Sequence, residues 1–133
     1  MQLEALAATY IQPSTIIPTG LPLSNNKETY TADWGPLIPM LMDPSRTPTE
    51  RAARFHLSMA HTLLQQAKRI RQDTGVNSIG LAGGVFQNRV LTEKSIELLS
   101  NEGFAVTLPL LIPVNDAAIS FGQIVEYGYS RNH

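Results

Sequence analysis

The chain has 133 residues, of which 43% are apolar and 16% charged, and its formal net charge is −1. This length suits one domain with a hydrophobic core, and the small net charge provides no general attraction to nucleic acid or anionic lipid. The absence of cysteine excludes disulfides, thiolate zinc sites and a cysteine nucleophile. No apolar run approaches the roughly 18 residues that span a membrane, and the N-terminus does not resemble a signal peptide. Together with the charge and the lack of cysteine, this leads us to expect a cytoplasmic protein that binds neither nucleic acid nor membrane.

The first 45 residues predict an irregular, partly helical segment. Residues 11–29 are rich in Pro, Ser, Thr and Asn, which indicates an irregular connection with at most a short strand. A short strand can open the stretch 29–43, and Leu37–Met42 then predicts a short helix bounded by prolines. Trp34, together with Tyr30, is interpreted as a packing anchor.

A long helix is predicted over residues 48–73. Thr47 and Glu50 fit a capping box, with Pro48 at the first helical position, and Gly75 suits the left-handed residue that ends a helix. One apolar face follows at helical spacing, formed by Ala53, His56, Ala60, Leu63, Ala67 and Ile70. His56 on this face is interpreted as a core histidine with one satisfied nitrogen, unless the face lines a pocket.

The second half of the chain predicts a βαβ unit. Residues 76–84 form a short apolar strand that ends in glycines, residues 88–100 a helix, and residues 104–108 a second strand. Strands joined by such a helical crossover are parallel. A last helix over about 117–128 follows, with Asn115 or Asp116 as its cap. The fold class is therefore α/β.

Gly83 and Gly84 lie at the carboxyl end of the first strand, where open parallel sheets bind ligands. Glycines there can adopt positive φ and let a ligand touch the backbone. The N-terminus of the following helix presents free N–H groups to an anion, so a nucleotide is the natural ligand. A tight strand-to-helix turn without any ligand explains the same residues.

Asp116 follows the second strand, near the same edge of the sheet as the glycines. A carboxylate at this place can hold a metal ion on the phosphates of a nucleotide. An ordinary helix N-cap is the alternative interpretation of Asn115 and Asp116.

Three stretches then carry a family resemblance. ARFHLSMAHTL, GLAGGVFQNRVL and PVNDAAISFGQ occur in this order, and together they resemble the C-terminal end of the HypF family, the carbamoyltransferases of NiFe-hydrogenase maturation. The same half-domain is related to the tRNA threonylcarbamoyl-adenosine-modifying enzymes within the actin-like ATPase superfamily. The resemblance covers nearly the whole chain and is weakest over residues 11–29.

The resemblance implies half of an actin-like ATPase domain, of the ribonuclease H-like type, with a parallel βαβ unit and packed helices. It implies an enzyme that uses ATP to convert carbamoyl phosphate into carbamoyl-adenylate and then carbamoylates the C-terminal cysteine of HypE. The implied cofactors are ATP and a divalent metal, and the implied partners are HypE and the remaining HypF portions. Gly83, Gly84, Asn88 and His56 would bind the nucleotide, and Asp116 the metal; no catalytic residue is assigned.

The chain also departs from the family pattern. Residues 1–133 correspond to a single partial domain, and the other HypF domains and the first half of the transferase domain are absent. We therefore expect a fragment that is inactive alone, that holds no cofactor stably and that self-associates. Ala82, Ala117 and Ala118 replace small or glycine residues of the family, so a non-catalytic remnant or protein-interaction module is the alternative.

Overall fold

The computed structural model describes residues 2–9, 16–26, 29–109 and 113–131. These residues form, in chain order, helix α1 (Gln2–Ala8), strands β1 (Leu23–Asn26) and β2 (Thr29–Ala32), helices α2 (Leu37–Met42) and α3 (Pro48–Thr74), strand β3 (Ser78–Gly80), helix α4 (Arg89–Asn101), strand β4 (Ala105–Thr107) and helix α5 (Ile119–Ser130). Two short 3₁₀ helices, Gly84–Gln87 and Asp116–Ala118, precede α4 and α5.

Helix α3 is the longest element, and both of its ends are fixed by local sequence. The Thr47 hydroxyl accepts from the Glu50 N–H, and the Glu50 carboxylate accepts from the Thr47 N–H, so the predicted capping box is confirmed. At the other end Gly75 adopts φ 74°, and its N–H donates to the carbonyl of Arg71. These signals depend only on neighbouring residues, which is why the sequence predicts them.

The βαβ unit carries the main hydrophobic core. Strands β3 and β4 pair in parallel, with Ile79 opposite Val106, as the helical crossover predicts. The core lies between this pair, α3 and α4, and its buried residues are Leu64, Leu81, Leu99 and Phe104. The carboxyl ends of both strands therefore meet at one edge, which holds the predicted site.

The N-terminal region has the short elements that its sequence predicts, a short strand at the start of 29–43 and the helix Leu37–Met42. Strand β1 lies in the stretch for which at most a short strand is expected, and it pairs antiparallel with β2. A second core cluster of Leu21, Leu37 and Met40 packs beneath this hairpin and α2. Residues 16–22 of the irregular connection have no regular secondary structure, as predicted, and residues 11–15 and 27–28 lie outside the described residues.

Two sequence-based assignments of buried side chains are wrong. Trp34 is 55% exposed, because it lies on a turn that the Asp33 carboxylate closes by accepting from the Gly35 N–H. Ile70, at the end of the predicted apolar face, is half exposed, since that face extends past the core at its C-terminal end. Helix α3 instead buries several small polar residues, including Ser58 and Thr62.

Helix α5 ends the described part of the chain, and none of its side chains is buried. It begins two residues later than predicted, because the first residues after Asn115 form a 3₁₀ helix. Among the residues that the structure describes, no helix is long and apolar enough to cross a membrane.

Candidate functional site

The glycine pair forms the turn that leads out of β3. The N–H of Leu81 still pairs with the Thr107 carbonyl at 2.9 Å, so the sheet ladder continues one residue beyond the strand. Gly83 then adopts φ 105° and ψ 155°, a region that is essentially restricted to glycine. Gly84 has no positive φ and starts the 3₁₀ helix, so the expectation of special backbone applies to only one of the two glycines.

The space above the turn is open. A Cβ built on Gly83 meets no heavy atom within 4 Å, and one built on Gly84 meets only the Cβ of Asn115, at 4.0 Å. A ligand can therefore approach the backbone of both residues from the sheet edge. Because neither glycine has a side chain, a ligand can come close to the backbone at both positions. The conformation of the turn itself requires glycine only at Gly83.

A backbone hydrogen bond brings the two predicted segments together. The N–H of Gly83 donates to the carbonyl of Val114. This contact places Asn115 and Asp116 beside the glycine turn, at the edge where the carboxyl ends of parallel strands meet. The sequence-based expectation that these segments share one edge is confirmed.

Asn115 and Asp116 have different roles at this edge. The Asn115 side chain accepts from the N–H of Ala117 at 3.1 Å, so it is the predicted N-cap. Asp116 is the first residue of the 3₁₀ helix, and it is exposed. Its carboxylate is thus the one of the pair that is available to a cation.

The described residues do not form a metal site by themselves. Across residues 2–9, 16–26, 29–109 and 113–131, no group of at least three His, Cys, Asp or Glu side chains is placed to hold a metal ion. Asp116 provides one hard oxygen donor, whereas a divalent metal needs several from protein, substrate or water. The metal therefore stays a prediction that depends on ligands from elsewhere.

His56 and Asn88 form a hydrogen-bonded pair beneath the turn. The Asn88 Oδ1 accepts from the N–H of Leu91 at 3.0 Å and caps α4, which leaves its NH₂ group to donate to His56 Nε2 at 2.8 Å. The remaining ring nitrogen, Nδ1, then carries the proton and donates to the Ala52 carbonyl at 2.8 Å.

This pair joins α3 to the residue that follows the turn. His56 is 2% exposed, and both of its nitrogens have partners, as in the core interpretation of this residue. Asn88 uses both ends of its amide and connects α3 to the start of α4, directly after the turn. Contact of either side chain with a nucleotide stays a prediction.

Two of the first backbone donors of α4 already have partners within the chain. The N–H of Arg89 donates to the Glu4 carboxylate at 2.7 Å, and Asn88 takes the N–H of Leu91. A side chain from α1 therefore already supplies the negative charge that a helix N-terminus favours. The helix that directly follows the glycines is the 3₁₀ helix, whose exposed residue Val85 borders the turn.

An apolar groove of about 330 Å³ lies on the flank of the turn, and Trp34, Met59, Val85 and Phe86 are among the residues that line it. Its aromatic and aliphatic walls can accept a flat apolar ring. No sequence pattern predicts this groove, because it joins the β-hairpin to the glycine turn across more than fifty residues of chain.

Comparison with known proteins gives consistent matches. The family described as "Carbamoyltransferase, Kae1-like Domain, second subdomain" matches residues 1–123. The carbamoyltransferase HypF of Synechocystis sp. is 34% identical over 114 residues, which are 85% of this chain and 14% of that protein. The tRNA N6-adenosine threonylcarbamoyltransferase of Thermosipho melanesiensis is 30% identical over 78 residues, 59% of this chain and 23% of that protein.

A crystal structure of full-length HypF in a phosphate- and nucleotide-bound form superposes with a TM-score of 0.78 and 30% identity, covering 92% of this chain and 16% of that chain. The present chain therefore spans less than a fifth of the length of these HypF proteins. The match extends across the glycine turn, the Asn115–Asp116 segment and the start of α5.

Proposed function

Because this chain belongs to the HypF carbamoyltransferase family, as the second subdomain of its Kae1-like domain, we propose that it forms one wall of an ATP-binding cleft. The observation that carries the proposal is the hydrogen bond between Gly83 and Val114, which sets the open glycine turn beside the exposed Asp116 carboxylate. The nucleotide-bound state of the related HypF crystal structure supports the choice of ligand.

The proposed role of each residue follows from its place at the edge. The open backbone at Gly83 and Gly84 receives the phosphates, where a side chain would keep them away. Asp116 supplies one donor to a divalent metal on those phosphates. The hydrogen bonds of His56 and Asn88 fix the segment that follows the turn.

The proposed reaction is the carbamoyl transfer of the family. Water cleaves carbamoyl phosphate into carbamate and phosphate, and the carbamate oxygen then attacks the α-phosphorus of ATP to give carbamoyl-adenylate and pyrophosphate. The C-terminal cysteine thiolate of HypE attacks the carbamoyl carbon, forms the C–S bond and displaces AMP. Catalysis needs groups on both sides of the reacting atoms. Since this chain supplies groups on one side, we propose that it is inactive alone and completes the cleft with the first subdomain.

The alternative is a non-catalytic remnant or interaction module, which the exposed helix α5 favours. The alanines also favour it where the glycines of the family serve close approach of a ligand, although Ala118 itself has φ −81° and ψ −12°, a conformation that alanine adopts without strain. Ala117 likewise lies within the 3₁₀ helix, with its N–H bonded to Asn115. The backbone at these positions therefore does not require glycine.

A complementation experiment tests the proposal. The chain is mixed with the Synechocystis HypF protein from which the second subdomain has been deleted, and carbamoylation of HypE is followed by mass spectrometry with ATP and carbamoyl phosphate present. We expect modified HypE in the mixture and none with either component alone. A complex that forms but leaves HypE unmodified would contradict the carbamoyltransferase role.

Matched variants sharpen this test. Asp116→Asn keeps the size of the side chain but weakens its affinity for a hard cation, so transfer should fall at least about tenfold. Glu97→Gln removes a comparable exposed charge on α4, where Glu97 pairs with Lys94. A surface ion pair of this kind contributes little to stability. The Glu97 variant should therefore support carbamoyl transfer as well as the unchanged chain does.

A further inference from the structure

The position of the glycine turn depends on the start of α4. The N–H of Asn88, which caps α4, donates to the Val85 carbonyl at 3.1 Å. The Thr92 hydroxyl of α4 donates to the Phe86 carbonyl at 2.9 Å, and the N–H of Phe86 donates to the Gly83 carbonyl at 3.0 Å. Hydrogen bonds therefore connect the first turn of α4 to the glycine with the positive φ.

Two other helices hold this start of α4. From α3, His56 Nε2 lies 2.8 Å from the side-chain nitrogen of Asn88. From α1, the Glu4 carboxylate accepts from the Arg89 N–H at 2.7 Å. That N–H is one of the first four of the helix, which have no acceptor within it. Because a hydrogen bond to a carboxylate is about twice as strong as one between neutral groups, Glu4 fixes the residue next to the cap.

Glu4 contacts the backbone of Arg89, whereas Glu93 contacts its charge. The Arg89 guanidinium pairs with the Glu93 carboxylate at 2.7 Å, and these side chains are 82% and 62% exposed, so the pair contributes little. Glu4 is partly buried and lines the same groove between α1 and α4 as Glu93. The two glutamates therefore differ mainly in the backbone hydrogen bond, which makes Glu93 a matched control.

Helix α1 has a second contact that does not depend on Glu4. It packs against α3, and its Ala7 is only 7% exposed. Removal of the Glu4 carboxylate therefore takes away the bond to α4 while the apolar contact of α1 remains. The effect of this bond on the glycine turn can thus be measured apart from the docking of α1.

We infer that Glu4 is a positioning residue for the glycine turn. Its carboxylate holds the Arg89 N–H, and the bonds at the start of α4 then set where the backbone of Gly83 and Gly84 lies. The inference rests on the proposed function, in which the phosphates of ATP bind at that backbone. Since a misplacement of about 1 Å far from the chemistry can greatly impair an active site, ATP affinity depends on Glu4.

The test compares three variants in the complex with the Synechocystis HypF protein that lacks its second subdomain. Glu4→Ala removes the acceptor, and Glu4→Gln keeps an oxygen that accepts from the Arg89 N–H without the charge. Glu93→Ala is the control, since it removes the same charge from the same groove. Isothermal titration calorimetry measures the affinity of each complex for ATP.

Two-dimensional amide NMR of the isolated chain provides a second measurement that a purely structural role would not change. The chemical shifts of Gly83 and Gly84 report on the turn. The exchange rate of the Arg89 amide reports on the bond to Glu4, and that of the Ala7 amide verifies that α1 stays docked in every variant.

We expect Glu4→Ala to bind ATP about tenfold more weakly, as the loss of one hydrogen bond to a charged group does. The Arg89 amide should exchange faster and the shifts of Gly83 and Gly84 should change, while exchange at Ala7 stays the same. Glu4→Gln should recover most of the affinity, because it still accepts from the same N–H. The control variant should match the unchanged chain in all measurements.

Several results would overturn the inference. One is equal ATP affinity of Glu4→Ala and the control, and another is weaker binding without any change in the shifts of Gly83 and Gly84. An equal loss in Glu4→Ala and Glu4→Gln would assign the effect to charge and not to the hydrogen bond. Fast exchange at Ala7 in Glu4→Ala would show that Glu4 acts by docking the whole of α1.

The outcome is separable from that of the proposed function. An unchanged complex that binds no ATP would reject the proposed function, and the NMR comparison would still decide whether Glu4 positions the turn, because it requires no ligand. Conversely, a complex that binds ATP and carbamoylates HypE equally well with Glu4→Ala would support the proposed function and reject the role of Glu4.

Discussion

Adding one methyl group to each of the two glycines should have opposite effects on stability. Gly83 adopts φ 105° and ψ 155°, where a Cβ is strained even though no neighbouring atom lies within 4 Å. Gly84 starts a 3₁₀ helix without positive φ, and a Cβ there meets one atom at an ordinary 4.0 Å. Gly83→Ala and Gly84→Ala are thus a matched pair that differs in backbone conformation.

The expected changes in the free energy of unfolding follow from the backbone conformation of the two glycines. Alanine at Gly83 should lower the free energy of unfolding by about 1–3 kcal/mol, the usual cost of a residue held in a sparsely populated region. Alanine at Gly84 should raise it by about 0.4–1 kcal/mol, because a substitution that fits the native conformation restricts the unfolded chain. The two variants should therefore differ by roughly 1.5–4 kcal/mol.

Urea unfolding followed by far-UV circular dichroism measures this difference, provided that the slopes of free energy against urea agree between variants. A loss of about 2 kcal/mol would lower the Tm by roughly 5–10 °C for a chain of this size. Equal effects of the two substitutions, or a larger loss for Gly84→Ala, would refute the assignment of the strained position to Gly83.

Three further predictions concern ligand, metal and pH. Gly84→Val should reduce ATP affinity at least about tenfold in the complex with the first subdomain, with only a modest loss of stability; unchanged affinity, measured by calorimetry, would reject the nucleotide turn. The isolated chain, which has Asp116 as a lone donor, should retain no stoichiometric metal after dialysis, and elemental analysis that finds one ion per chain would reveal missed ligands. Hydrogen bonds from the Thr47 N–H and hydroxyl lower the pKa of Glu50 below its ordinary value of 4.5. The capping box should therefore stabilise the fold above pH 4.5, and this stabilisation should be lost as the pH falls through the lowered pKa of Glu50 in the folded state. The urea midpoint, measured against pH, should show this loss in the unchanged chain, and Glu50→Gln should abolish it.

The parts of the fold that the sequence predicts well depend on local signals or on strong periodicity. The capping box and Gly75 fix α3 to within a residue of its predicted end, and the crossover helix makes β3 and β4 parallel. The hydrophobic pattern predicts burial along α3 less well, because it does not identify buried polar side chains. Ser58 and Thr62 can be buried because each hydroxyl donates to the carbonyl four residues earlier, and the Ser58 hydroxyl also accepts from the Thr19 N–H.

In the candidate site, too, the sequence predicts some contacts and misses others. The meeting of the glycine turn with Asn115 and Asp116 follows from the rule for parallel strands, so the sequence predicts it. The hydrogen bond from Arg89 to Glu4 joins residues 85 positions apart, and no periodicity or motif encodes such a contact. The same holds for the exposed Trp34, whose place beside the turn depends on how the hairpin packs on α3.

The contact between Glu4 and Arg89 also has a consequence for the order of folding. Contacts between residues that are distant in sequence form late, because the long intervening loop must close first. The βαβ unit, whose contacts are closer in sequence, should form first, and α1 should dock afterwards. Amide hydrogen exchange in α1 should accordingly be faster than in the buried part of α3.

During synthesis, α1 is made well before the part of α4 that it contacts. Glu4 leaves the ribosome 85 residues before Arg89, and at about 5–20 residues per second this interval lasts roughly 4–17 s. Over that time the α1 helix has no α4 terminus to cap, and a helix of 7 residues is too short to persist in water on its own. Helix α1 thus stays undocked in the nascent chain throughout that interval, and a chaperone or a protease has this time to act on it.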